Sequence, residues 1–132
     1  RLSSALKKNK GNFNFASSNP LWRASLNVLN FIPLVNADYG GGIIITDWFS
    51  EGSSENSIKI TVRFLSNEIR ADGLEVIIHE KKCSNGICQT SLTENNINSE
   101  IKLAILKKAA VLKNADTKKA RKKEGEYPVK KN

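Results

Sequence analysis

The sequence predicts a two-layer α+β domain, in which a four-stranded antiparallel meander sheet carries an N-terminal and a C-terminal helix on one face (helix-β-β-β-β-helix). Three observations point there. Apolar residues recur at the helical spacing of three to four between Leu21 and Ile32, and again between Ile97 and Leu112. Between those stretches the period drops to two, with Ile58, Ile60, Val62 and Phe64 alternating with Lys59, Thr61 and Arg63. The only two cysteines, Cys83 and Cys88, sit symmetrically about Asn85-Gly86, the dipeptide that supplies both positive-φ positions of a tight hairpin turn.

The elements follow in order. Residues 1–17 are rich in Ser, Asn and Lys and show no apolar period, so they are expected to form a flexible N-terminal arm. Ser18-Asn19-Pro20 offers an N-cap followed by proline at the first helical position. The amphipathic helix it opens, through Leu21, Trp22, Leu26, Val28, Leu29 and Ile32, is expected to stop near Pro33. Gly40-Gly41-Gly42 breaks the chain before Ile43–Phe49, a β-branched and aromatic run that reads as a buried strand. A polar loop leads to the alternating second strand at Ile58–Phe64.

In the third strand the apolar phase moves from odd positions (Ile69, Ala71) to even ones (Leu74, Val76, Ile78), which predicts a β-bulge at Asp72-Gly73. Beyond it Glu75, Ile77, His79, Lys81 and Cys83 share the face away from the core. Turn geometry pairs Ser84 with Ile87, Cys83 with Cys88, Lys81 with Thr90 and His79 with Leu92. The cysteines form a non-hydrogen-bonded pair, close enough for a disulfide on the exposed face. From about Asn96 a helical stripe of Ile97, Ile101, Ile105, Ala109 and Leu112 returns, backed by Lys102, Lys107, Lys108 and Lys113. This helix stops near Asn114 or runs on through Lys123. The organisation expected is an arm (1–17), one α+β domain (18–114) and a basic C-terminal tail (115–132).

Composition narrows the function classes. At 132 residues and 39% hydrophobic content the chain has material for one modest core and no membrane-length apolar run. The net charge of +8 is unevenly placed: residues 1–106 carry 11 Lys and Arg against 10 acidic residues, residues 107–132 carry 10 against 3. The excess centres on Lys118, Lys119, Arg121, Lys122 and Lys123. Methionine is absent, so we expect that the chain does not begin at its own start codon and that a leader, a lipid-anchored stretch or some other upstream segment has been removed ahead of Arg1. Because disulfides persist in oxidising compartments, the cysteine pair predicts an exported, periplasmic protein.

Leu21-Trp22-Arg23-Ala24, the glycines leading into Ile44-Ile45-Thr46-Asp47-Trp48-Phe49, and Leu65 followed by Arg70-Ala71-Asp72-Gly73-Leu74 occur in that order. Over residues 18–112 the sequence thereby resembles the proteobacterial family catalogued as domain of unknown function 3576. The resemblance implies a predicted exported lipoprotein, anchored at the outer membrane through a lipidated cysteine ahead of Arg1. It carries no activity to transfer, and the cysteine pair would be a local addition to the family pattern.

No catalytic constellation emerges from the residues. His79 lies about 13 Å along a strand from Cys83, too far to share a metal ion; no metal or cofactor is expected. Gly40-Gly41-Gly42 precedes a strand, whereas phosphate-cradling loops follow one and open a helix. Asp47, Trp48, Arg70 and Asp72 are the candidate partner-binding residues, since the expected topology brings them to one end of the sheet. The competing reading is an Arg70–Asp72 hydrogen bond that fixes the bulge, with Trp48 in the core.

The function expected is a non-enzymatic binding or assembly-accessory domain of the cell envelope. Its partners are an envelope protein and, through the tail, an anionic membrane surface. A nucleic-acid-binding module acting through the tail is the alternative; only Tyr127 interleaves an aromatic with those cations. An enzyme ranks third and would require Asp47 and Asp72 to converge.

Overall fold

The computed structural model describes residues 19–50, 52, 55–93 and 96–126, without the side chains of 123–126. The expected arm at 1–17, Tyr127 and the Lys123 side chain lie outside the described set. The order is α1 (Pro20–Val28), β1 (Leu34–Asp38), β2 (Ile43–Thr46), β3 (Asn56–Phe64), a 3-10 turn (Ala71–Gly73), β4 (Leu74–Ser84), β5 (Ile87–Thr93) and α2 (Asn96–Glu126). The strands form one antiparallel sheet in sequential order, a meander of five rather than four.

The additional strand, β1, is exposed at all five positions and buries no face, so Leu34-Val35-Asn36-Ala37-Asp38 carries no hydrophobic alternation to reveal it. It is specified by its turn. Asp38 Oδ1 accepts the Gly41 N–H (3.1 Å), Tyr39 O accepts the Gly42 N–H (3.0 Å), and Gly42 adopts φ +66°, a region costly to any residue with a Cβ. The glycine triplet is therefore a hairpin turn.

α1 begins as its residues predict. Asn19 Oδ1 accepts the N–H groups of Leu21 (3.0 Å) and Trp22 (3.3 Å), and Pro20 occupies the first turn. It ends at Val28, a turn before Pro33. Leu29 and Ile32 still reach the core from the turn that follows.

β4 also departs from expectation. Its ladder with β3 runs unbroken from Phe64↔Leu74 to Asn56↔Lys82, with no bulge at Asp72-Gly73. The phase change there arises because Ala71–Gly73 form a 3-10 turn before the strand starts. Gly73 O accepts the N–H groups of Leu65 and Ser66, and a Cβ on Gly73 would stand 2.8 Å from Glu68 O, so only glycine fits.

An extra residue does occur, one strand earlier. Ile45 pairs with Thr61 and Phe49 with Ile58, so four steps on one chain oppose three on the other. Thr46 fills the gap: its hydroxyl, fully buried, accepts the Ile60 N–H (2.9 Å) and donates to Asp47 O (2.9 Å). The slip ends β2 at Thr46, sends Phe49 toward the core, and leaves Trp48 half-buried on the other face rather than inside.

The core lies between that sheet face and the helices. Ile44, Ile60, Val62, Leu74, Val76 and Ile78 meet Leu21, Trp22 and Ala24 of α1 and Ile105 and Ala109 of α2 in one cluster. Of the stripe expected on α2, only its middle is buried, and Ile97 stays 39% exposed. α2 passes Asn114 without a break and ends at Glu126, spanning about 46 Å at ~1.5 Å per residue. Arg23 Nη1 holds Asp116 Oδ2 at 2.8 Å, tying α1 to α2 just before the most basic stretch. Among the described residues no helix is long and apolar enough to cross a membrane.

Candidate functional site

The hairpin between β4 and β5 has the predicted register at every pair named from sequence: Ser84↔Ile87, Cys83↔Cys88, Lys81↔Thr90 and His79↔Leu92. Asn85 (φ +52°) and Gly86 (φ +80°) make the turn. The Cys83 N–H donates to Glu55 O at the start of β3 (2.8 Å), away from β5, as the non-hydrogen-bonded pair requires. The two cysteines are joined in a disulfide, with Cα atoms 4.0 Å apart.

The four candidate partner-binding residues do not assemble. Asp47 and Trp48 follow the C-terminal end of β2, whereas Arg70 and Asp72 precede β4, whose first residue is level with Phe64 and the start of β2. The two pairs sit at opposite ends of the sheet, about 15 Å apart along the strands at ~3.3 Å per residue. Carboxylates this far apart, at opposite ends of a sheet, share no cleft. Among the described residues no group of three or more His, Cys, Asp or Glu side chains could hold a metal ion.

Arg70 and Asp72 do bond to one another. The guanidinium donates through Nε to Asp72 Oδ1 (2.9 Å) and through Nη2 to Oδ2 (2.7 Å), while Nη1 reaches Glu68 Oε2 (3.0 Å). This fork spans the 3-10 turn and satisfies the guanidinium along three of its N–H directions. The hydrogen bonds from Arg70 hold the Asp72 carboxyl below its usual range, and those to Asp72 and Glu68 raise Arg70. A carboxyl depressed by folding stabilises the native state above its unfolded pKa and loses that contribution as pH falls through the folded value. Asp72 should accordingly titrate below the ordinary aspartate value by carboxyl NMR, and Arg70→Gln should raise it toward that value. A midpoint unchanged by Arg70→Gln would remove the fork as its cause.

Trp48 is placed differently. Lys81 Nζ lies 4.5 Å and Lys59 Nζ 5.5 Å from the centre of its ring, within cation–π range. The Trp48 backbone N–H donates to Asp47 Oδ1 at 2.7 Å, fixing the start of the slip. His79 is directly opposite Lys59, on the face that the helices leave uncovered. Neither Lys59 nor Lys81 stands out in the sequence as a site residue. The alternation did place both on the open face; what put the indole beside them was the one-residue slip, which no motif announces.

At the opposite end of the sheet, a cleft of about 300 Å³ opens between the Gly40–Gly42 turn, Phe64 and Ser66. Trp22 forms its floor, edge-on to Tyr39 (5.1 Å between ring centres) and tilted against Phe64 (5.4 Å). Asn19 Nδ2 donates to the Tyr39 hydroxyl at 3.2 Å. The basic cluster Lys118, Lys119, Arg121 and Lys122 is exposed on the C-terminal third of α2.

Over residues 15–114 the chain matches the family described as Domain of unknown function (DUF3576). It belongs to that family. An uncharacterised protein of Rickettsia prowazekii (strain Madrid E) is 41% identical to it over 92 residues, 67% of this chain and 54% of the relative. The chain thus spans about half the length of the curated relative it matches. No solved structure matches it. The DUF3576 match spans every strand and the body of α2 as far as Asn114, and leaves the most basic turns of that helix beyond it.

Proposed function

We propose that this DUF3576 domain works in the bacterial cell envelope, in the periplasm and anchored at the outer membrane, as a non-enzymatic binding or assembly accessory. The joined pair Cys83–Cys88 carries the reading. It uses both cysteines of the chain, and a reducing cytosol does not maintain such a bond. The charge distribution agrees with it: a near-neutral body suits contact with an envelope protein, and the exposed cations at the end of α2 suit an anionic membrane surface.

Fractionation of native cells tests the compartment. The protein is expected in the periplasmic or outer-membrane fraction, and recovery in the cytosol would overturn the proposal.

A second reading, binding of nucleic acid, draws on the helical form of the basic stretch, since a helix presenting Lys118, Lys119, Arg121 and Lys122 can lie along a phosphate backbone. It predicts an affinity for duplex DNA that falls steeply with salt and is lost when those four residues become glutamine.

A further inference from the structure

We propose that Trp48, Lys59 and Lys81 form a binding site for a phosphate-monoester dianion on the uncovered face of the sheet. The inference goes beyond the envelope reading and holds whichever compartment the protein occupies.

Two ammonium groups converge on one indole, and among the described residues neither has a carboxylate within 4 Å. The other cations show what this sheet does elsewhere. Arg63 is paired with Glu75 across the strands, Lys82 with Glu80, and Arg70 with both Glu68 and Asp72. Like charges on neighbouring sheet positions repel, and an anion bound between two cations held near one ring relieves that repulsion. The indole attracts both ammoniums through its π system and carries no net negative charge of its own.

The neighbouring strand positions on this face are uncharged or imidazole. His79 faces Lys59 across the ladder. On β5 the positions sharing this face are Cys88, Thr90 and Leu92, all uncharged. Glu75 lies six residues from Lys81, about 20 Å along β4, and is engaged by Arg63. Asp47, next to Trp48 in sequence, accepts the Trp48 backbone N–H, Glu80 is paired with Lys82, and Glu55 stands opposite Cys83 at the entry to β3.

Two lysines match a dianion in charge, and lysine binds phosphate as a point charge without requiring a planar partner. A single-stranded nucleic acid fits less well, because it needs a succession of stacking rings, whereas Ile45, Thr61, Ile77 and Leu92 occupy the rest of this face. The site also stands on rigid elements: Lys59 and Lys81 are on the two central strands, and the Cys83–Cys88 bond closes the hairpin two residues beyond Lys81.

The test is a titration of the intact, oxidised protein with inorganic phosphate at constant ionic strength, read by 1H–15N NMR. The chain has two indole N–H resonances, from Trp48 and Trp22, and Trp22, buried against Tyr39 and Phe64, serves as internal control. The Trp48 indole and the Lys59 and Lys81 amides are expected to shift with a saturating curve in the millimolar range while Trp22 stays still. Lys59→Gln and Lys81→Gln, both surface changes, should each weaken binding about tenfold, and Lys102→Gln on α2 should not. A linear, unsaturated response, or one reproduced by chloride, would overturn the site. So would a response equal at Lys118 and Lys81, since that is general attraction to a basic protein. In a parallel arm with phosphatidic acid vesicles, binding by a native protein that shows no response to phosphate, unchanged in the Lys59→Gln/Lys81→Gln double variant, would overturn the site and reassign the anion contact to α2.

Discussion

Ile60→Ala is expected to destabilise the fold by about 3 kcal/mol, within the ~2–5 kcal/mol seen when a buried isoleucine or leucine is cut back to alanine. Ile60 is fully buried on β3, the middle strand, where it pairs with Ile78, also fully buried. Its N–H is the donor that Thr46 accepts across the slip, so its backbone is fixed on both sides and has little room to relax into the cavity. Urea unfolding monitored by far-ultraviolet circular dichroism gives the difference directly. With global stability typically about 5–15 kcal/mol, a loss of this size leaves the domain marginal. The same change at Ile87, which is 68% exposed on edge strand β5, should cost less than about 0.5 kcal/mol. Equal losses at the two positions would contradict the burial assigned to them, complete at Ile60 and slight at Ile87 on the same sheet face beyond the helices.

Replacing both cysteines by serine is expected to cost about 2 kcal/mol, the loop-closure value for so short a ring in the chain-entropy model. The hairpin should survive with its register intact, because Asn85 and Gly86 still set the turn and the Cys83 N–H still reaches Glu55 O. Gly86→Ala attacks the same hairpin through the backbone. With φ at +80° the new Cβ costs about 1–2 kcal/mol, although nothing crowds it in space. A double serine variant that unfolds outright would show that the staple, rather than the core, holds the sheet together.

The sequence was most legible where one local rule had no competitor. Asn85-Gly86 admits few turns other than a tight hairpin, so the whole β4–β5 register followed from two residues. Asn19-Pro20 likewise marked the start of α1. Reading failed where a tertiary partner replaced the local pattern. β1 is an edge strand with no buried face and thus no alternation to detect. The phase change before Leu74 looked like a bulge because a 3-10 turn and a bulge shift the parity of apolar positions alike; the Arg70 fork and the contact of Gly73 with Glu68 O decide between them.

The candidate site shows the same division. Trp48 and Asp47 were recognisable as an aromatic and an acid ending a strand, and Arg70 and Asp72 as a bonded pair. The four could not meet however Trp48 was placed, because in an antiparallel meander the C-terminal end of β2 and the N-terminal end of β4 lie at opposite ends of the sheet; only the face taken by the indole was open. The Thr46 hydroxyl, by accepting the Ile60 N–H, lets the chain slip by one residue there and hands the indole to Lys59 and Lys81 instead.

The proposed envelope location rests on the disulfide of one hairpin, and thiol trapping in living cells tests that proposal most directly. Cells carrying the native protein are quenched with acid, alkylated without reductant, and the intact mass of the protein is measured. The account predicts no added alkyl group before reduction and two after it. Two alkyl groups before reduction would mean that Cys83 and Cys88 are free thiols in the cell, and would contradict residence in an oxidising compartment.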